Sequence, residues 1–249
     1  MAFYKSALGA EVTALMRYSD SPEPHPPGMI PPGSEHKAMH AEMRLGRVVA
    51  GRAPREPEVH GLIALMEIQA SRTAARVNAS GAPILLLEQN RARWDHLLIR
   101  RGLAALERAE AEGGALGPYA LQAAIAACHA RARVAQDTDW PQIAALYDAL
   151  AALTPSPVVE LNRGVAVGMA FGPAAGLEIV DALTDAPSMR NYHLLPSVRG
   201  DLLAKLGRHD EARAEFGRAA ELTRNERERH LLLERAARCA RGDTPADAA

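Results

Sequence analysis

The chain has 249 residues, a formal net charge of -1, 48% hydrophobic residues and only 4% aromatic ones. That length fits one large or two small domains, and the charge balance lacks the basic excess by which a domain grips nucleic acid through its phosphates. The two cysteines, Cys128 and Cys239, have no CxxC spacing, which excludes a disulfide framework and fits a reducing cytosol.

The N-terminal "MAFYKSALGAEVTALMRYSD" lacks a basic segment followed by a long apolar one, so no signal peptide is expected. No apolar run reaches the roughly 20 residues of a membrane span. A cytoplasmic location with no membrane partner follows as an expectation. Residues 1–40 form a lead crowded with Pro and Gly in "DSPEPHPPGMIPPGSEHK", expected to be irregular because each Pro restrains its neighbour away from helix. Before that run, "YKSALGAEVTALMRY" has the spacing of a short amphipathic helix. From Ala41 the chain reads as helical blocks, beginning with "AEMRLGRVVAG".

Pro57 suits a first helical turn, and Val59, Leu62, Ile63, Met66 and Ala70 then recur at helical intervals. Turn formers in "VNASGAP" break the series, and Ile84–Leu87 reads as a short extended piece. In "LLLEQNRARWDHLLIRRGL", Asn90 is the expected N-cap of a helix that carries Trp94, Leu97 and Leu98 on one face and runs to about Glu112. Further helices are expected over 119–133, 142–153 and 158–169, with Asp139 capping the second and Ser156 with Pro157 opening the third. "AAGLEIVDAL" resumes after "FGP", and a last helix spans 226–240. Residues 241–249 should be a disordered tail.

The last half repeats. In "GDLLAKLGRHDEARAEFGRAAEL", Gly200 and Leu203 take the small and large positions of a first helix, and Gly207 the turn. Ala212, Phe216 and Ala219 take the small, aromatic and small positions of a second. This is the tetratricopeptide spacing, in which small residues let antiparallel helices approach and bulky ones fill between layers. Gly164 precedes Gly200 by roughly one repeat of that class, about 34 residues. "LNRGVAVGMAFGPAAGLEIVDAL" is therefore a second copy, and Tyr147 with Pro155 marks a third. Pro196 stands where the pattern has an aromatic. The expected fold is all-α, a tetratricopeptide-like stack of helical hairpins over 41–240.

Chemistry has little to work with. There is no GxSxG, HExxH or phosphate-cradling glycine loop. Cys128 and His129 are adjacent, and helical neighbours point about 100° apart, so a packed thiol beside a surface imidazole is the plainer reading. No catalytic, cofactor-binding or metal-binding residue is assigned. Arg91, Arg93, Arg100 and Arg101 form a basic cluster that reads as a solvated face paired with Glu88, Asp95 and Glu107. "RNERERHLLLERAARCARG" reads as an exposed face of alternating charge. Asn162 lies among Val158, Leu161, Val165 and Met169, where partial burial would require bonding partners, and Arg163 follows it.

These blocks carry a family resemblance. "PEVHGLIALMEIQASRTAARV", "LLLEQNRARWDHLLIRRGL", "GPYALQAAIAACHA" and "DTDWPQIAALYDALAALTPSPVVELNRGVAVGMAFGPAAGLEIVDAL" occur in order. Together with "YHLLPSVRGDLLAKLGRHDEARAEF", they resemble the C-terminal extension of a subgroup of extracytoplasmic-function RNA polymerase sigma factors. The likeness covers about 41–240. It implies a tetratricopeptide-like domain that influences sigma activity in place of a separate anti-sigma protein. No part of residues 1–38 resembles the promoter-recognition core, so direct DNA binding is not implied. "NASGAP" is less charged than the loop the family has before Trp94, and His60 stands at an aliphatic position. The N-terminus is expected to reflect a shifted frame or mis-assigned start.

The sequence thus leads us to expect a regulatory protein-interaction domain of a sigma factor, without a cofactor. Its partners would be sigma core regions, RNA polymerase or a signalling protein. Arg91, Trp94, Asp95, Asn162 and Arg163 are the candidate contacts. A free-standing helical scaffold is the first alternative, and an enzyme with an unfamiliar site the second.

Overall fold

A computed structural model describes residues 11–17, 38–44, 55–78, 83–113 and 116–241. Two short strands, β1 (Glu11–Arg17) and β2 (Ala38–Arg44), pair antiparallel with Glu11 opposite Arg44 and Met16 opposite His40. β1 lies where helical spacing had suggested a short helix, and β2 overlaps the first expected helical block. The sequence of β2 alternates Met39, Ala41 and Met43 with His40, Glu42 and Arg44, a period of two that suits a strand. The tail from 242 lies outside the described residues.

The remainder is an all-α array. Among the described residues there are nine α-helices: α1 (Pro57–Ser71), α2 (His96–Ala111), α3 (Pro118–Arg131), α4 (Trp140–Leu153), α5 (Pro157–Phe171), α6 (Pro173–Asp181), α7 (Leu194–Lys205), α8 (His209–Leu222) and α9 (Glu226–Ala240). α1 packs against both α2 and α3, which barely touch each other. From α4 onward each helix packs chiefly on its neighbours in the chain, and α5 also meets α7.

Small residues set these contacts. A Cβ on Gly61 would stand 2.6 Å from the Ala120 backbone nitrogen, and one on Gly102 would stand 2.6 Å from Ile68 Cγ1. α1 therefore approaches α3 and α2 at glycines, and Ala64, Ala105, Ala123 and Ala127 complete an alanine-rich interface. α5 and α6 come closer still, since a Cβ on Gly176 would lie 2.5 Å from the Gly164 carbonyl oxygen. In the α7–α8 hairpin, Gly207 turns the chain with φ +74, a conformation that favours glycine. Gly200 faces the ring of Phe216, whose Cε1 a Cβ there would meet at 2.9 Å. Ala212, Phe216 and Ala219 are fully buried between the two helices. The residues picked out by spacing in the last two copies are therefore the ones at which helices meet.

The helix ends show why the chain starts and stops where it does. Asp139 accepts from Gln142 N at 2.9 Å, Ser156 from Val158 N at 3.3 Å and Asn225 from Arg227 N at 3.0 Å. α3 has no local cap. Glu58 of α1 reaches across instead, its Oε2 accepting from Tyr119 N at 2.9 Å and its Oε1 from Ala120 N at 3.0 Å. A carboxylate at a helix N-terminus satisfies free amides and meets the positive end of the dipole. Among the described residues no helix is long and apolar enough to cross a membrane.

Candidate functional site

The candidate residues fall into two sets. Arg91, Trp94 and Asp95 belong to the connection between α1 and α2. Asn90 does not cap α2. Its Oδ1 accepts from Ala92 N at 3.0 Å and opens a single 3-10 turn, Arg91–Arg93. The true cap is Asp95, whose Oδ1 accepts from Leu97 N at 2.9 Å and Leu98 N at 3.1 Å, so α2 begins at His96. Two caps stand five residues apart, and the downstream one wins because Asp95 N also donates to Ser71 O at 2.9 Å, pinning that point to the end of α1.

Trp94 is 3% exposed and packs with Ala75 and Ile99. The guanidinium carbons of Arg91 and Arg72 lie 5.0 and 5.8 Å from its ring centre, within cation–π range. Arg91 does not ride a solvated face. Its Nη1 donates to His129 O and, at 2.9 Å, to Ala132 O, and its Nη2 donates to Thr138 Oγ1 at 3.2 Å. It therefore clamps the C-terminal carbonyls of α3, which the helix leaves unbonded.

Burial and the neighbouring Arg76 and Arg91 push the Arg72 guanidinium down to about 10. Burial, with Arg91 and Arg72 beside it, pushes His129 down to about 4, so the imidazole is neutral at pH 7. Its ring meets Trp140 edge-on at 5.3 Å. Cys128 is buried, its thiol pushed up by desolvation, and its Sγ donates to Gln142 Oε1 at 3.4 Å. The adjacent Cys and His thus face different partners.

Asn162 and Arg163 form the second set, on α5. Asn162 is exposed, which corrects the expectation of partial burial; Leu161 and Gly164 take the buried positions. Arg163 bridges α4 and α5, its Nε donating to Glu160 Oε2 at 2.9 Å and its Nη1 to Asp148 Oδ1 at 3.2 Å. Every bond described for this set lies within α4 and α5, so the two sets do not form one site.

The arrangement with the form of a binding site lies elsewhere. A cleft of about 80 Å³ opens between α7, α8 and α9, walled by Asp201, Ala204, Phe216, Arg235 and Cys239. Arg235 pairs with Asp201, and its Cζ sits 4.5 Å above the Phe216 ring. Its guanidinium is pushed down to about 10 by burial and by Arg238, against the pull of Cys239 and Glu88. Charge alternation had suggested that this helix face is exposed; Arg235 is instead mostly buried. Across the cleft stand Leu85 and Glu88, from the connection that precedes Arg91. The segment enters extended, Ile84 N donating to Arg76 O at 2.8 Å, and makes one 3-10 turn over Leu86–Glu88. Sequence reasoning missed this cleft because its two sides are more than about 110 residues apart and no local pattern links them.

Among the described residues, no group of three or more His, Cys, Asp or Glu side chains is placed to hold a metal ion. Residues 32–110 match the model of DUF6596, a family of unknown function. An uncharacterised protein of Rhizobium meliloti (strain 1021) is 46% identical over 183 residues, covering 74% of this chain. The chain spans 43% of that relative's length. No solved structure matches.

Proposed function

We propose that the chain is a tetratricopeptide-like regulatory module of an RNA polymerase sigma factor, acting by binding protein rather than by turnover. Its partners are sigma core regions, RNA polymerase or a signalling protein in the cytoplasm. The observation that carries the binding reading is the cleft between α7, α8 and α9, which a turn of polypeptide distant in sequence, Leu85–Glu88, already lines from the other side. Stacked helical hairpins present such clefts to extended segments of partners. The sigma assignment rests on the ordered sequence blocks that resemble sigma-factor extensions. The relative in Rhizobium meliloti leaves more than half of its own length beyond the aligned part, room for a further domain.

The test is direct. The full chain is immobilised and challenged with purified sigma core regions and with RNA polymerase. Retention of either at physiological salt is expected, and retention of neither defeats the reading. Promoter DNA is expected not to bind, and a sequence-specific gel shift would overturn that part.

A further inference from the structure

The cleft has a definite chemistry. Phe216 and Ala204 supply apolar wall, and Asp201 is engaged by Arg235. Arg238, exposed at the rim, forms no ion pair among the described residues, so the walls carry one positive charge in excess. The segment lying over them brings an aliphatic group at Leu85 and a carboxylate at Glu88. Glu88 N donates to Leu85 O at 2.9 Å, and the turn this closes brings both residues to the cleft. The fit is incomplete: Leu85 remains 41% exposed, Glu88 has no ion pair within 4 Å among the described residues, and about 80 Å³ stays open beneath them. A resident that filled the cleft would leave neither an aliphatic face in water nor a cavity.

We propose that this cleft binds a segment of a partner protein that carries an aliphatic residue three positions before an acidic one and takes up the same single 3-10 turn, and that Leu85–Glu88 occupies it until the partner arrives. The inference rests on the reading of the chain as a protein-binding module and names the segment chemistry that module selects. Leucine fills the space over Phe216 and Ala204, and the carboxylate reaches Arg238. Because the resident is tethered, it competes at an effective concentration on the order of millimolar. A free segment with an intrinsic Kd of about 100 μM is then weakened about tenfold in the unmodified chain. Cys239, 6% exposed in the cleft wall, reports occupancy, because a segment seated against that wall covers its thiol.

The experiment uses the full chain and a fluorescein-labelled peptide of residues 83–90, PILLLEQN. Polarisation titrations compare the unmodified chain with Leu85→Asp/Glu88→Lys, which disables the resident at two exposed positions. The double variant is expected to bind the peptide about tenfold more tightly and to alkylate faster at Cys239, mapped by mass spectrometry, with added peptide slowing that alkylation. Arg238→Glu in the same background should remove most of the gain, and so should a peptide with Lys in place of Glu88. Equal affinity in the unmodified and double-variant chains overturns the proposal, as does indifference to either charge reversal. If circular dichroism shows the double variant misfolded, Leu85→Ala/Glu88→Gln carries the same comparison. Peptide exchange without retention of sigma core or polymerase would keep the cleft and remove the sigma reading; retention without exchange would do the reverse.

Discussion

Gly176→Ala and Gly217→Ala make the same chemical change in two helices and should act in opposite directions. At Gly217 a new Cβ meets nothing within 4 Å. The substitution there gains only helix propensity, about 0.8–1 kcal/mol. At Gly176 the Cβ would lie 2.5 Å from Gly164 O, 2.7 Å from Gly168 Cα and 2.9 Å from Gly168 N, all backbone atoms that cannot rotate aside. Restoring an ordinary contact of 3.4 Å requires α5 and α6 to part by about 0.9 Å. A gap of that size forfeits up to about half of each dispersion contact along the seam. Overpacking of this kind costs about 1–3 kcal/mol, and the propensity gain offsets part of it, leaving a net loss of up to about 2 kcal/mol. Urea unfolding followed by far-UV circular dichroism reads both variants, with the midpoint preferred to an extrapolated stability because stacked repeats need not unfold in one step. The midpoint should rise for Gly217→Ala and fall for Gly176→Ala. Equal shifts, or a stable Gly176→Ala, would refute the claim that backbone contact at this crossing holds the hairpin together.

Arg91→Met should destabilise by about 1–3 kcal/mol, since it strands the carbonyls of His129 and Ala132. It should also raise the His129 pKa, which NMR titration of the ring would show. Trp94→Ala should cost about 3–5 kcal/mol. Trp94→Phe should cost much less, because the indole nitrogen has no bonding partner among the described residues. Arg163→Ala should change stability by no more than about 1 kcal/mol, its partner Asp148 being 63% exposed. Chemical denaturation measures all four costs.

Much of the array was legible because its signals are local. Spacing placed α9 at its observed bounds and put Gly200, Gly207, Ala212 and Phe216 at the contacts of the α7–α8 hairpin. The caps Asp139 and Ser156 were readable for the same reason. Interactions between segments distant in sequence were not readable. Asn90 and Asp95 are equally good caps by type, and only the bond from Asp95 N to Ser71 O decides between them. Arg91 looked solvated because two of its three acceptors are carbonyls about 40 residues away, and a carbonyl has no residue signature. Arg235 sits in a run of alternating charge whose periodicity suits solvent, yet its aliphatic stem and planar head suit Phe216 equally well.

The stretch from Leu85 to Asp95 meets three separate parts of the array: the cleft of α7–α9, the end of α3 and the end of α1. The pH dependence of stability tests the middle of those attachments. His129 has a folded pKa of about 4 against 6.5 when free, so between these values the unfolded chain binds the proton and the folded chain does not. Stability therefore rises with pH across that window: the contribution is absent below about 4 and complete above 6.5. At about 1.4 kcal/mol per pH unit, the full effect is about 3 kcal/mol. Removing Arg91 takes away one of the charges that hold the imidazole neutral, so Arg91→Met should narrow the window from its acid end as well as lower stability throughout. His129→Phe should abolish this part of the slope. If urea midpoints of the unmodified chain and His129→Phe run parallel from pH 4 to 7, the imidazole is not held neutral, and the burial of Arg91 and Arg72 around Trp94 does not have the electrostatic consequence derived from it.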